Sequence, residues 1–255
     1  MARLLQSQSA NTFSSETPRQ RLPLTVDAVH IWQVNLHISL DSAARFTATL
    51  APDERARAAR FRFPEHRERF IAAHGALRDI LSRYLNLPAD QLAFSITQHG
   101  KPTLADPDHA WLQFNLSHSG DLALIALTRD RPIGIDVEQM IPPDNYPRLV
   151  EQFFSANENA AFRALPESKR AAAFFAGWTR KEAYVKALGT GVSLPLDHFD
   201  VTMDPDAPAR LLADRRHPHH VITWSLHTFT PAPAYIASLA IEIPHPTFTF
   251  LTANF

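Results

Sequence analysis

Two short segments carry carboxylates whose placement suits a single metal ion. In Ile133-Gly134-Ile135-Asp136-Val137-Glu138, an extended backbone alternates side chains between faces. Ile133, Ile135 and Val137 then share one face. Asp136 and Glu138 share the other, with Gly134 leaving space beside them. Two like charges on one strand face repel unless a cation or a proton intervenes. The third carboxylate is Glu182, in Trp178-Thr179-Arg180-Lys181-Glu182-Ala183.

That second segment breaks its own periodicity. Ala171, Phe174, Phe175, Trp178, Val185 and Leu188 make an apolar stripe at helical spacing. The slot between Trp178 and Val185 should be apolar, yet Lys181 and Glu182 fill it. Lys186 lies four residues beyond Glu182, so the two can meet on the helix surface. Charges that interrupt a buried stripe are costly unless compensated. Taken singly, an Asp-x-Glu strand is an ordinary solvated face and a Lys-Glu an ordinary surface pair. Their combination with an upstream segment carries the reading.

Upstream runs Phe114-Asn115-Leu116-Ser117-His118-Ser119-Gly120-Asp121, then the apolar Leu122–Leu127, then the turn Thr128-Arg129-Asp130-Arg131-Pro132. Trp111 to Glu138 therefore reads as strand, turn, strand, turn, strand. Before it stands a turn carrying one lysine, Gly100-Lys101-Pro102. In order, G-K-P, F-N-L-S-H-S-G, G-I-D-V-E and W-x-R-K-E-A-x-x-K resemble the Sfp-type phosphopantetheinyl transferases. The resemblance spans about residues 51–199 and continues through Gly189-Thr190-Gly191-Val192-Ser193-Leu194-Pro195-Leu196.

The resemblance implies transfer of 4′-phosphopantetheine from coenzyme A to a serine of an apo acyl or peptidyl carrier protein, releasing adenosine 3′,5′-bisphosphate. It implies Mg²⁺, with Mn²⁺ as an alternative, held by Asp136, Glu138 and Glu182. Magnesium favours hard oxygen donors shared among carboxylates, phosphates and water. Glu182 also matches the family's general base. Lys186 and His118 match pyrophosphate contacts, and Ser117 and Lys101 match contacts near the 3′-phosphate. The implied fold is α+β, two similar subdomains with the active site at their interface. Phosphoryl-type transfer needs positioning and stabilised negative charge, which these residue types supply.

Ser117-His118 does not read as a nucleophile and its base. Adjacent strand residues face opposite ways, and no G-x-S-x-G elbow occurs. The alternative for His118 is a structural histidine bonded inside a turn. Arg55, Arg57, Arg60, Arg62, Arg67 and Arg69 cluster nearby, opposed by Glu65 and Glu68. Guanidinium forks suit phosphates. By resemblance Arg69 matches a nucleotide-phosphate contact, and Arg57 falls near another. The alternative is a solvated arginine-rich helix face.

A balance of 25 Lys+Arg against 26 Asp+Glu argues against a nucleic-acid-binding domain, which would be basic overall. It suits a small anionic ligand and an acidic carrier protein. With no cysteine, disulfides, thiolate metal sites and cysteine nucleophiles are excluded. No apolar run approaches the roughly 18–20 residues of a membrane span. The first 24 residues lack the hydrophobic region of a secretory signal, and a cytoplasmic monomer is expected. No Walker or dinucleotide fingerprint is present. Two rival activities share these features, a magnesium-dependent nucleotide pyrophosphohydrolase and a coenzyme A-binding protein without catalysis.

The expected organisation is a flexible tail over 1–24, an N-terminal α+β subdomain over 25–140, a proline-rich connector over 141–149 and a C-terminal α+β subdomain over 150–255. A long helix is expected over Pro64–Leu85 and another near Arg148–Ala164. Strands are expected near Phe199–Met203, Val221–His227 and Tyr235–Ile243. Ser155 and Glu158 make a capping box. His217-Pro218-His219-His220 lacks the spacing of a standard zinc site and is read as a solvated loop.

Overall fold

The structure is a computed structural model that describes residues 13–14 and 23–255. In chain order the elements are β1 (Ala28–Asn35), α1 (Leu40–Thr49), α2 (Pro52–Ala59), α3 (Pro64–Leu85), β2 (Phe94–Ile96), β3 (Pro102–Leu104), β4 (Leu112–Ser119), β5 (Leu122–Arg129) and β6 (Ile133–Gln139). They continue with α4 (Tyr146–Phe153), α5 (Ala156–Ala164), α6 (Glu167–Leu188), β7 (Phe199–Val201), β8 (Leu211–Asp214), α7 (His220–Thr223), β9 (Ser225–Phe229), β10 (Tyr235–Ile241) and β11 (Thr247–Ala253).

One long helix packs against each of the two larger sheets, and β2-β3 and β7-β8 pair separately. The first sheet has the order β11-β1-β5-β4 and the second β6-β10-β9. β5 is almost wholly apolar because it is central and covered on both faces. Its Ala123, Ile125 and Leu127 join Ile80, Leu81 and Tyr84 of α3 in one core. Its Leu122, Leu124 and Ala126 join Ile133, Ile135 and Val137 of β6 in a core shared by the two sheets. α6 packs on the far side of the second sheet, with Ala183, Tyr184 and Ala187 against Ala240.

Helix ends follow local chemistry. Pro64 starts α3, and Asn86 stops it in the left-handed region, φ 56°. Gly189 stops α6 in the same way, φ 65°. The helix expected near Arg148–Ala164 is two helices, because Ser155 caps α5: its hydroxyl accepts from the Glu158 amide, and Glu158 Oε2 accepts from the Ser155 amide. α4 begins at Tyr146, inside the expected connector. In place of a strand from Val221, the chain makes the short α7 and then β9.

Strands β1, β8 and β11 have no counterpart in the sequence-based expectation. β1 lies between β5 and β11, and β11 runs parallel to β1 although it follows the second half in sequence. The expected tail over 1–24 lies outside the described residues apart from 13–14 and 23–24. Phe13 packs edge-on to Phe250 with centroids 5.1 Å apart. Among the described residues no helix is long and apolar enough to cross a membrane.

Candidate active site

The site is built where β6 meets α6. A Cβ on Gly134 would collide with the carbonyl oxygen of Ala183 and the amide nitrogen of Ala187. The space beside the carboxylates therefore holds the α6 backbone itself. That approach, which only glycine allows, brings the Glu182–Lys186 turn over the face of β6 that carries Asp136 and Glu138. Lys186 Nζ donates to Asp136 Oδ1 at 2.5 Å and to Ser117 Oγ at 3.0 Å.

β4 and β6 run parallel and are joined through side chains. Asn115 Oδ1 accepts from the Ile135 amide at 2.8 Å, Ser117 Oγ from Val137 at 3.3 Å and Ser119 Oγ from Gln139 at 3.1 Å. Ser117 Oγ also donates to Asp136 Oδ1 at 3.1 Å, and Ser119 Oγ to Glu138 Oε2 at 2.9 Å. Strand alternation puts His118 on the opposite face, and no Ser117–His118 bond forms, as its period of two requires.

Burial raises the carboxyl pKa values of all three acids. Asp136 pushes both Glu138 and Glu182 higher, while Lys186 opposes each shift. The Oδ2 atom of Asp136 is buried with no hydrogen-bond partner. The Glu182 side chain makes no hydrogen bond or ion pair among the described residues. Three acids that sense one another, one orphaned buried oxygen and one opposing ammonium fit a divalent cation with hard oxygen donors. As the side chains stand, no three His, Asp or Glu residues among those described converge closely enough to hold it. Lys186 and the two serines hold Asp136 and Glu138 on the strand side, and Glu182 stands apart from them.

His118 opens toward a cavity of about 550 Å³, whose lining includes Arg57, Phe70, His74, Phe94 and Gly100. Desolvation, then the electrostatic influence of His74, Lys186, Arg69 and Arg57, holds the His118 imidazole below its ordinary pKa. Arg57 and Arg78 line the recess beside Asp53, Glu54 and Asp90, with Arg78 Nε given to Glu54 at 2.7 Å, so Arg57 is the guanidinium there that suits a phosphate. The Arg57 guanidinium lies over the Phe70 ring at 5.3 Å, and Phe70 stacks on His74 at 4.0 Å. Arg69 gives Nε and Nη2 to Asp121 at 2.9 and 2.6 Å. The same carboxylate meets His37 at 2.9 Å.

Lys101 is placed differently from a free phosphate ligand. Its Nζ donates to the carbonyls of Ile133 at 2.9 Å and Ala187 at 3.1 Å. It clips the β2–β3 turn onto both β6 and α6, leaving one of three ammonium donors. Burial lowers its pKa to about 8.

These features meet a clear relationship to known proteins. The family model described as the 4′-phosphopantetheinyl transferase superfamily matches residues 132–240. The one described as 4′-phosphopantetheinyl transferase, N-terminal, matches residues 38–129. The 4′-phosphopantetheinyl transferase HetI of Nostoc sp. is 39% identical over 221 residues, 86% of this chain and 90% of HetI. The chain belongs to the 4′-phosphopantetheinyl transferase superfamily. The 4′-phosphopantetheinyl transferase Sfp of Bacillus subtilis is 30% identical over 212 residues, 83% of this chain and 89% of Sfp. Psf-1 of Bacillus pumilus, named likewise, is 34% identical over 192 residues, 75% of this chain and 78% of psf-1. The protein is an Sfp-type 4′-phosphopantetheinyl transferase with the two-subdomain α+β fold of that family.

The role of one group in this transferase, and a second group altogether, escaped the sequence reading. Lys181 is fully buried, and its Nζ meets Glu158 Oε2 at 2.8 Å and the carbonyls of Leu196 and Phe199, both at 2.6 Å. It fastens α6 to α5 and β7 rather than facing the reaction. A lysine inside an apolar stripe demands a carboxylate partner, and Glu158 was the available signal. The second group is Ser119, which shares a strand face with Ser117 at a spacing of two. At the histidine loop, Tyr184 of α6 donates to Asp214 Oδ2 at 2.6 Å and contacts His220 Nδ1 at 2.5 Å. His220 is thereby built into the fold.

Proposed function

We propose that this transferase moves 4′-phosphopantetheine from coenzyme A to a serine of an apo acyl or peptidyl carrier protein, releasing adenosine 3′,5′-bisphosphate. The observation that carries the reading is the orphaned Asp136 Oδ2 in a set of three mutually repelling carboxylates, beside Lys186 and the recess lined by Arg57 and His118. Asp136, Glu138 and Glu182 would hold Mg²⁺, and the same oxygen donors accept Mn²⁺. The ion supplies neutralisation of the pyrophosphate and of the leaving bisphosphate.

The chain's own residues do the rest. Lys186 and His118 bind the pyrophosphate, on the α6 side and the cavity side respectively. Arg57 and Arg69 bind the nucleotide phosphates, with Ser117 and the remaining donor of Lys101 near the 3′-phosphate. Glu182 takes the proton of the attacking hydroxyl. Burial and Asp136 raise its pKa, which improves it as a base near neutral pH. The serine oxygen–phosphorus bond forms as the bond from phosphorus to the bisphosphate oxygen breaks. The enzyme acts as a cytoplasmic monomer in this reading; its thiol-free composition suits any redox compartment.

Intact mass spectrometry of an apo carrier protein incubated with the enzyme, coenzyme A and Mg²⁺ tests this. A gain of one phosphopantetheine is expected, lost with EDTA or a carrier Ser→Ala change. Release of bisphosphate without carrier modification would overturn it in favour of hydrolysis.

A further inference from the structure

Along the seam between β4 and β6 the same arrangement repeats every two residues. On each rung a β4 side-chain oxygen accepts an amide N–H of β6, from Ile135, Val137 and Gln139 in turn. On two of the rungs the same oxygen also donates its proton to the carboxylate one residue earlier, Asp136 from Ser117 and Glu138 from Ser119. On the third rung the preceding residue is Gly134, which has no side chain to orient.

Each serine is thereby left a single choice. A hydroxyl has one proton and two lone pairs. The Gln139 amide occupies a lone pair of Ser119, so the proton is left for Glu138 Oε2, and the bond to an ionised acceptor is of the stronger kind. The anchor is the backbone immediately after Glu138, so the carboxylate is fixed relative to its own strand. A glutamate has three rotatable side-chain bonds. Without such an anchor its carboxylate would spread over rotamers, and ordering it would weaken any ligand it holds.

We infer that Ser119 is a positioning residue for metal binding: it holds Glu138 with one oxygen directed at the cation and does not itself touch coenzyme A. This rests on the proposed role of Glu138 as a ligand. Outer partners of ligating carboxylates commonly carry 10- to 100-fold of metal affinity. Ser117 performs the equivalent task for Asp136 and is in addition bonded to Lys186, so Ser119 is the cleaner probe.

The test is Mn²⁺ titration of the full chain with coenzyme A bound, by calorimetry and by the electron paramagnetic resonance signal of free Mn²⁺. Ser119→Ala is expected to weaken Mn²⁺ binding about 10-fold, with coenzyme A affinity in EDTA unchanged. Ser119→Thr, which keeps the hydroxyl, should restore most of it. Ser119→Cys keeps the volume with a weak donor and should behave as Ser119→Ala, which covers the case in which the alanine variant folds poorly. Glu138→Gln separates the two claims. Mn²⁺ binding unchanged in Glu138→Gln overturns the ligand assignment, and the role of Ser119 falls with it. Weakened binding in Glu138→Gln beside wild-type binding in Ser119→Ala and Ser119→Cys overturns the positioning role alone. A lowered melting temperature with unchanged Mn²⁺ affinity would show Ser119 to be only part of the seam.

Discussion

Lys181 and Glu158 form an ion pair closed off from solvent, their side chains 0% and 1% exposed with Nζ 2.8 Å from Oε2. Desolvation lowers the lysine pKa and raises that of the glutamate. The pairing and the surrounding bonds oppose both shifts: two carbonyls accept from the lysine, and the amides of Ser155 and Val201 donate to the glutamate. Removing one partner strands a buried charge. Lys181→Met should therefore cost about 3–5 kcal/mol of stability, read as a shift in the urea midpoint. A loss under about 1 kcal/mol, the range of exposed pairs, would mean that the pair is not buried in solution.

Gly134 sets the distance between the strand that carries Asp136 and the helix that carries Glu182 and Lys186. A methyl group there meets helix backbone, which has no rotamer to escape into. Gly134→Ala should push α6 off β6, costing about 1–3 kcal/mol as overpacking does. Transfer should fall further than stability explains, because the Lys186–Asp136 contact opens. Circular dichroism melts beside single-turnover transfer would separate the two effects. Full activity in this variant would show that the site tolerates a shifted helix.

Much of the site was legible because strand and helix periods place side chains without tertiary knowledge. The period of two separated Ser117 from His118 and put Asp136 beside Glu138, and the interrupted stripe of α6 marked Lys181 and Glu182. The contents of that interruption were not legible. Glu182 senses the charge of Asp136, whereas Lys181 pairs with Glu158, a partner 23 positions earlier in the chain. Lys101 and Arg69 carry the charge expected of phosphate ligands. Their ties to carbonyls and to Asp121 depend on loops that meet only in the folded chain. β1 and β11 eluded the sequence for a similar reason. Their pairing is parallel and joins the two ends of the chain, where no turn signal announces it.

The Glu182 side chain has no hydrogen bond to lose, and Asp136 repels it. Glu182→Gln keeps its shape and removes that repulsion. The metal-free variant should therefore melt at or slightly above the wild-type temperature, while transfer falls at least about 100-fold, the scale of a missing general base. Lys186→Ala should act in the opposite sense, lowering the melting temperature by leaving Asp136 uncompensated, and slowing turnover at saturating coenzyme A. A Glu182→Gln enzyme with wild-type turnover would remove this residue from the mechanism.

Acid should destabilise the protein through two buried histidines that carry no role in the proposed transfer. Burial lowers the pKa of His30 to about 4 and that of His227 to about 4. His30 sits in a buried cluster: the Tyr84 hydroxyl accepts from Trp32 Nε1 at 3.0 Å and meets His30 Nδ1 at 2.7 Å. His227 has a buried Nε2 with no partner to share a charge. In the unfolded chain both titrate near 6.5. Between pH 6.5 and 4 the unfolded state binds more protons, so stability present above 6.5 is lost as the pH falls. For His30 alone the loss reaches on the order of 3 kcal/mol. Asp136, Glu138 and Glu182 act with the opposite sign, because their raised pKa values make the folded state the stronger proton binder in acid. Wild-type urea midpoints at pH 7 and 5 therefore mix two trends, and His30→Gln with His227→Gln separates them. Without metal, wild type should lose stability from pH 7 to 5, and the double variant should lose much less or gain. Equal slopes in the two proteins would mean that neither histidine is held neutral by the fold.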